Sequence, residues 1–252
     1  MQSLGGIEII KTDKELANLD NLGSRETLYL GTEVTDKGLR HLEGLKNLRG
    51  LSLSGREVTN AGLAHLTGLE NMRELSLINT RVTDKGLAHL KGLKNLRVLK
   101  PGGRTTDEGL AHLGGLENLR MLRLTCTQVT DKGLAHLKGL ENLRVLLLTD
   151  TEVTNAGLAH LAELQKLRKL RLRHTEITDE GLVHLKGLQN LRKLDIGATD
   201  VTDAGLAHLE GLQNLQKLNL WATQVTDEGV RELKEAQPGL EVVRQIERRI
   251  IP

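Results

Sequence analysis

The chain has 252 residues, 38% of them hydrophobic, which sets an expectation of one or two ordinary domains with enough apolar residues for a core. Phe is absent and Trp and Tyr occur once each, so that core must be aliphatic. With 35 Lys plus Arg against 33 Asp plus Glu the formal charge is +2, so the overall balance announces neither a nucleic-acid nor a membrane partner, and any electrostatic argument has to be local.

The opening MQSLGGIEIIKTDKE has no basic segment followed by an apolar run of signal-peptide length, and no later stretch approaches the ~18 apolar residues of a membrane span. A cytoplasmic location is the expectation, with secretion as an effector left open and a monomer as the default state. Ile7-Glu8-Ile9-Ile10 followed by Glu15-Leu16-Ala17-Asn18-Leu19 reads as an eroded first unit, which makes residues 1–33 an N-terminal cap.

From there one phrase recurs. Its marker residue stands at Val34, Val58, Val82, Thr105, Val129, Val153, Ile177, Val201 and Val225, in steps of 24 except for 23 between Val82 and Thr105. A fixed period of this size signals a solenoid, because each unit is too small to bury its own apolar face. Within the units Leu51-Ser52-Leu53, Leu75-Ser76-Leu77, Leu122-Arg123-Leu124, Leu170-Arg171-Leu172 and Leu218-Asn219-Leu220 alternate at period two, as short strands with one buried face do. Val-Thr-Asp-x-Gly-Leu-Ala-His-Leu then changes to helical spacing, with Leu87, Leu90 and Leu93 three apart. Asp84 is placed to cap that short helix, Asn60 and Asn155 fill the same slot, and Gly92 ends it.

The unit beginning near Leu99 departs from the pattern: Pro101 stands where the second strand leucine belongs, and Gly102-Gly103 follow in a loop one residue short. Proline has no N–H for a ladder, so a local bulge or a broken rung is expected there. Past the regular units of 34–225, Val230-Arg231-Glu232-Leu233 and Pro238-Gly239-Leu240-Glu241-Val242-Val243 supply a last helix and strand. The charged Glu247-Arg248-Arg249 comes after them, so 226–252 form a C-terminal cap of a single domain spanning 1–252.

The pattern Leu-x-x-Leu-x-Leu-x-x-Thr-x-Val-Thr-Asp-x-Gly-Leu resembles the leucine-rich-repeat family, most of all its ribonuclease-inhibitor-like and cysteine-containing subtypes, which carry a phrase like Ile177-Thr178-Asp179-Glu180-Gly181-Leu182. The resemblance covers nearly the whole chain. It implies an α/β leucine-rich-repeat solenoid: a right-handed β–α superhelix, or horseshoe, with a parallel concave sheet and short convex helices. It also implies a recognition module or inhibitor and no enzyme. Where the family often has Asn or Cys after the strand, this chain has Thr80, Thr127, Thr151, Thr175, Thr199 and Thr223, read as hydroxyls bonding the turn backbone.

Eight histidines, His41, His65, His89, His112, His136, His160, His184 and His208, form a column on the helices. Neighbouring helix axes lie ~8–10 Å apart whereas zinc–nitrogen bonds are ~2 Å, so the column reads as structural and no metal is expected, with weak pH sensing as the alternative. Arg49, Arg73, Arg97, Arg120, Arg144, Arg168 and Arg192 read as a solvated edge ladder with Glu70, Glu117 and Glu141 as counter-ions. Cys126, the only cysteine, excludes an internal disulfide. It sits at a turn on the strand side with the histidines across the core, so a Cys–His nucleophile is not supported. The chain carries no phosphate-binding loop, nucleophile elbow or His-Glu-x-x-His helix, and no cofactor is implied.

The strand face varies while the scaffold repeats almost verbatim. Its middle positions read Tyr29, Ser52, Ser76, Lys100, Arg123, Leu147, Arg171, Asp195 and Asn219, flanked late in the chain by Lys169, Arg173, Lys193, Lys217 and Trp221. Arg and Trp are enriched at interface hot spots. Trp221 with Arg171, Arg173 and Lys193 is therefore the expected anchor cluster, and Tyr29 a secondary one. The favoured reading is a scaffold that binds a protein partner carrying an acidic patch. The alternatives are a polyanion or nucleic-acid binder using the basic late half, and a repeat-only or engineered scaffold without an evolved ligand.

Overall fold

The computed structural model describes residues 9–19 and 22–244. Eleven strands form one parallel sheet in strict chain order: β1 (Ile9–Thr12), β2 (Thr27–Glu33), β3 (Gly50–Leu53), β4 (Glu74–Ser76), β5 (Val98–Lys100), β6 (Met121–Arg123), β7 (Val145–Leu147), β8 (Lys169–Arg171), β9 (Lys193–Asp195), β10 (Lys217–Asn219) and β11 (Glu241–Val243). Each of β1 to β10 is followed by a helical turn, of four or five α-helical residues in all but the last, and five of these ten run into a short 3₁₀ segment, as in Asp84–Leu87 and then Ala88–Gly92. The helix thus stops at Gly92, as expected. A strand and a helix stand towards each end of the described residues, at Ile9–Thr12 and Asp13–Ala17 and at Asp227–Ala236 and Glu241–Val243. Ile7, Glu8 and Glu247-Arg248-Arg249 lie outside the described residues.

One aliphatic core runs from Ile10 to Leu240. The marker column is buried throughout, from Val34 to Val225, and Thr105 keeps its place in it at 1% exposure. Each fully buried Leu contributes about 1.5–3 kcal/mol relative to exposure. That burial exists only when the coils on either side are present, which is why the unit repeats.

The coils are also tied by polar ladders that reach from one repeat to the next. The Thr of each Val-Thr-Asp phrase is the N-cap of its helix, and the acid that follows is the first helical residue, contrary to the expectation for Asp84, Asn60 and Asn155. The reason is that the acid has a better partner 22 or 23 residues on. Asp84 Oδ1 accepts the Thr106 N–H at 2.9 Å and its Oδ2 accepts the Thr106 hydroxyl at 2.8 Å. The same two-bond rung joins Asp13 to Thr35, Asp36 to Thr59, Asp107 to Thr130, Asp131 to Thr154, Asp179 to Thr202 and Asp203 to Thr226. At Asn60 and Asn155 the amide instead donates to the hydroxyls of Thr83 and Thr178, the two Thr in the regular coils whose side chains cap no helical N–H.

This rung explains the glycine of the motif. A Cβ built at Gly133 would overlap Asp107 Oδ1, and the same holds at Gly109 against Asp84 and at Gly205 against Asp179. The position needs Gly because the preceding coil's carboxylate occupies the space, with no positive φ involved.

Two further ladders complete the wiring. Asn47, Asn71, Asn95, Asn118, Asn142, Asn190 and Asn214 each donate their side-chain amide to a backbone carbonyl of the preceding coil, at 2.8–3.0 Å. The Thr column bonds its own turn, as expected: Thr80, Thr127, Thr151, Thr175, Thr199 and Thr223 each donate to the carbonyl three residues back.

Pro101 breaks one rung. In the other coils the N–H at this position reaches the next strand's middle carbonyl, as Leu77 does to Lys100 and Leu124 to Leu147. Pro101 has no N–H, and β5 pairs with β6 only through Val98–Met121 and Leu99–Leu122. The sheet continues on both sides without a register shift; the sheet's one irregularity in register lies between β1 and β2.

Candidate functional site

Alternation along a strand turns every second residue outward, and the register stacks those residues in rows. Tyr29, Ser52, Ser76 and Lys100 are successive partners across β2 to β5. Arg123, Leu147, Arg171, Asp195 and Asn219 are successive partners across β6 to β10. Beside them Lys169, Lys193 and Lys217 form a column on β8 to β10. The late face therefore gathers Arg123, Lys169, Arg171, Lys193 and Lys217 on a continuous surface. Tyr29 stays apart, six strands from Arg171 and so roughly 28 Å away at ~4.7–4.9 Å per strand.

The charges on this face are only partly balanced. Arg171 Nε lies 3.8 Å from Asp195 Oδ2, and Lys217 pairs with Glu241. Burial, followed by the neighbouring Arg171 and Lys193, holds the Lys169 ammonium below the usual lysine value, with Asp195 offsetting part of the effect. Asp195 and Asn219 also serve their own turns. Asp195 Oδ1 accepts the Gly197 N–H at 3.3 Å and Asn219 Oδ1 accepts the Trp221 N–H at 3.0 Å.

At the end of the strands, Trp221 reaches back across the coil that separates it from Arg173. The Arg173 guanidinium lies 4.3 Å from the centre of the indole ring. His174 stacks on the same ring at 6.1 Å between centroids and 18° between planes. The intervening coil presents Gly197 and Ala198; a Cβ on Gly197 would stand 3.1 Å from the Trp221 carbonyl. Ala198 takes φ 51° and donates its N–H to that carbonyl at 2.6 Å. Small residues there clear the space that the indole spans.

A model of the leucine-rich repeat matches residues 163–185 and 187–209, the coils that carry Arg171, Arg173 and Lys193. The solved structure of internalin C2 from Listeria monocytogenes str. 4b F2365 superposes on the chain with a TM-score of 0.61 at 26% identity, covering 84% of this chain and 84% of that one. Residues 163–209 thus match the leucine-rich-repeat family, and the fold is that of a leucine-rich-repeat solenoid. An internalin, inlF, from the same strain covers 92% of this chain and 88% of its own at 19% identity, with a TM-score of 0.49. No curated protein matches in sequence.

Within the leucine-rich-repeat coils the structure adds a residue that the sequence reading passed over. His174 lies off the helical column, in the turn on the strand side. There Cys126, Asp150 and His174 occupy one left-handed position in three successive coils, with φ of 57°, 55° and 54°. Asp150 Oδ1 lies 3.1 Å from His174 Nδ1, and Asp150 Oδ2 accepts from the Cys126 thiol at 3.7 Å. The histidines are therefore not all across the core from Cys126. The carboxylate stands between thiol and imidazole, and it aids burial in raising the thiol above its usual pKa, the reverse of an activated nucleophile. Among the described residues no group of three or more His, Cys, Asp or Glu is placed to hold a metal.

The edge arginines are solvent-facing and bond one another through the backbone, Arg97 N–H to Arg73 carbonyl and so on to Arg192. Their expected counter-ions are not used: Arg49 pairs with Glu26 at 2.8 Å, and among the described residues Glu70, Glu117 and Glu141 form no ion pair with this column. Those glutamates stand before the turn that precedes the strand, whereas Glu26 immediately precedes β2 beside Arg49. On the helical side, seven of the eight column histidines are half-buried, His136 is exposed, and His65 contacts Glu43 at 2.5 Å.

Proposed function

We propose that the chain is a non-enzymatic protein-binding scaffold that docks a partner with an acidic patch across the outer face of β6 to β10. One observation carries this reading: the register sets Lys169 beside Lys193 and Lys193 beside Lys217, with Arg171 two residues along the same strand as Lys169, so cationic side chains crowd one face of adjoining strands. A carboxylate set against that group relieves the crowding, and the preformed sheet loses little conformational freedom on binding. Arg173 and Trp221, already stacked, supply a rigid edge of the kind that interface hot spots use. Lys217, Arg123 and the ends of Asp195 and Asn219 border the same surface, and Tyr29 marks a separate, weaker contact.

The test is retention of binding partners from the native host by the parent chain, by Trp221→Ala and by Arg171→Glu with Arg173→Glu. Loss of one specific acidic protein from both variants supports the proposal. Retention of heparin or nucleic acid by the parent, steeply salt-dependent and lost in the Glu variant, would replace it with polyanion binding.

A further inference from the structure

The turn after β5 is one residue shorter than its counterparts, and the shortening opens a hollow on the strand face. Pro101 is buried, and Gly102 takes φ 97° directly after it, one position earlier than the left-handed Asn79 and Cys126 of the flanking coils. A Cβ on Gly102 would approach the Leu77 carbonyl to 2.8 Å, and one on Gly103 the Cys126 carbonyl to 3.0 Å. This tight path requires that neither residue carry a side chain. The hollow it leaves has a volume of 240 Å³, and its lining includes Asn79, Lys100, Arg123 and Thr125.

Those four side chains share one chemistry. Lys100 and Arg123 bring cationic donors, Asn79 and Thr125 bring neutral ones, and no carboxylate lines the hollow. Among the described residues none of the four has a side-chain hydrogen-bond or ion-pair partner within the chain. Asp150, the acid nearby in the turn column, is engaged by His174 and by the Cys126 thiol. The volume falls below the ~300–1,000 Å³ of pockets for drug-sized ligands, so it suits a single small group. Arg offers a planar fork and Lys a point charge, a pair that fits an oxyanion.

We infer that this hollow is a subsite for one anionic group, a carboxylate or a phosphate, held between Lys100 and Arg123. It lies where the repeat is interrupted, and it shares only Arg123 with the surface proposed for the partner on the later strands.

Titration of the ¹⁵N-labelled chain with sodium phosphate, and separately with sodium acetate, at constant ionic strength tests it. The expected result is a saturable shift of the Gly102, Gly103 and Thr125 amide signals. In Lys100→Gln with Arg123→Gln binding weakens at least about tenfold, with the other amide signals in place. In Arg171→Gln with Arg173→Gln it is unchanged. A stronger response to phosphate assigns a phosphorylated ligand, and a stronger response to acetate an acidic side chain. No saturable shift with either anion overturns the inference. So does a shift that survives the first double substitution, or one abolished by the second.

Discussion

Substituting Gly133 by Ala places a methyl group where the Asp107 carboxylate of the preceding coil sits, and the outcome separates two opposing effects. In a free helix the change is favourable by about 0.5–1 kcal/mol, because Gly has more backbone entropy to lose. Here the new Cβ would overlap Asp107 Oδ1 and stand 3.1 Å from Leu110 Cδ1. The carboxylate must swing away from Thr130, whose N–H and hydroxyl it holds at 2.8 and 2.7 Å. Two charge-assisted bonds at a half-buried site amount to about 2–4 kcal/mol. Losing part of them outweighs the helix gain, so Gly133→Ala should destabilise the parent by about 1–2 kcal/mol. In an Asp107→Ala background the obstacle is gone, and the same substitution should be neutral or stabilising by up to about 1 kcal/mol. The coupling is then about 2 kcal/mol, read from urea midpoints at constant m by circular dichroism. Equal effects of Gly133→Ala in both backgrounds would refute the claim that the motif's glycine answers to the acid of the previous coil.

Pro101→Leu restores an N–H opposite the Arg123 carbonyl; it should add about 0.5–1.5 kcal/mol of stability and give a slowly exchanging amide at position 101, checked by hydrogen exchange. Asp203 is held below the ordinary carboxylate value of 3.8 by its bonds to the Thr226 hydroxyl and N–H. A depressed acid lends stability above its unfolded pKa, and that stability is lost as pH falls through the folded value. Carbon-detected titration should therefore place Asp203 below 3.8, and Thr226→Val should move it back toward the ordinary value. Trp221 is the only tryptophan, so Arg173→Met, which removes the guanidinium over its ring, should change the intrinsic emission without changing the far-ultraviolet circular dichroism; an unchanged emission spectrum counts against the stacked pair.

The coil and the faces of the sheet were legible because leucine periodicity is local: Leu170-Arg171-Leu172 states in three residues which side chains are buried. Pro101 was legible for the same reason, since a missing N–H is a property of that residue alone. The Asp–Thr rung was misread as a local cap because its partner stands 22 or 23 positions away, and local capping rules favour Asp and Thr alike. The Asn ladder was missed on the same grounds, with partners 24 or 25 positions back. His174 is not legible from the repeat because it does not recur at the helical histidine position. Its signal was that it alone fell outside the column, one residue after Arg173.

Successive coils crowd variable cationic side chains onto one face. Titration of the Lys169 side chain by NMR in the parent, in Lys193→Gln and in Arg171→Gln tests that crowding. The prediction is a midpoint below 10.5 in the parent that rises in each variant as a neighbouring charge is removed. A parent midpoint at the ordinary lysine value, unmoved by either substitution, would contradict it.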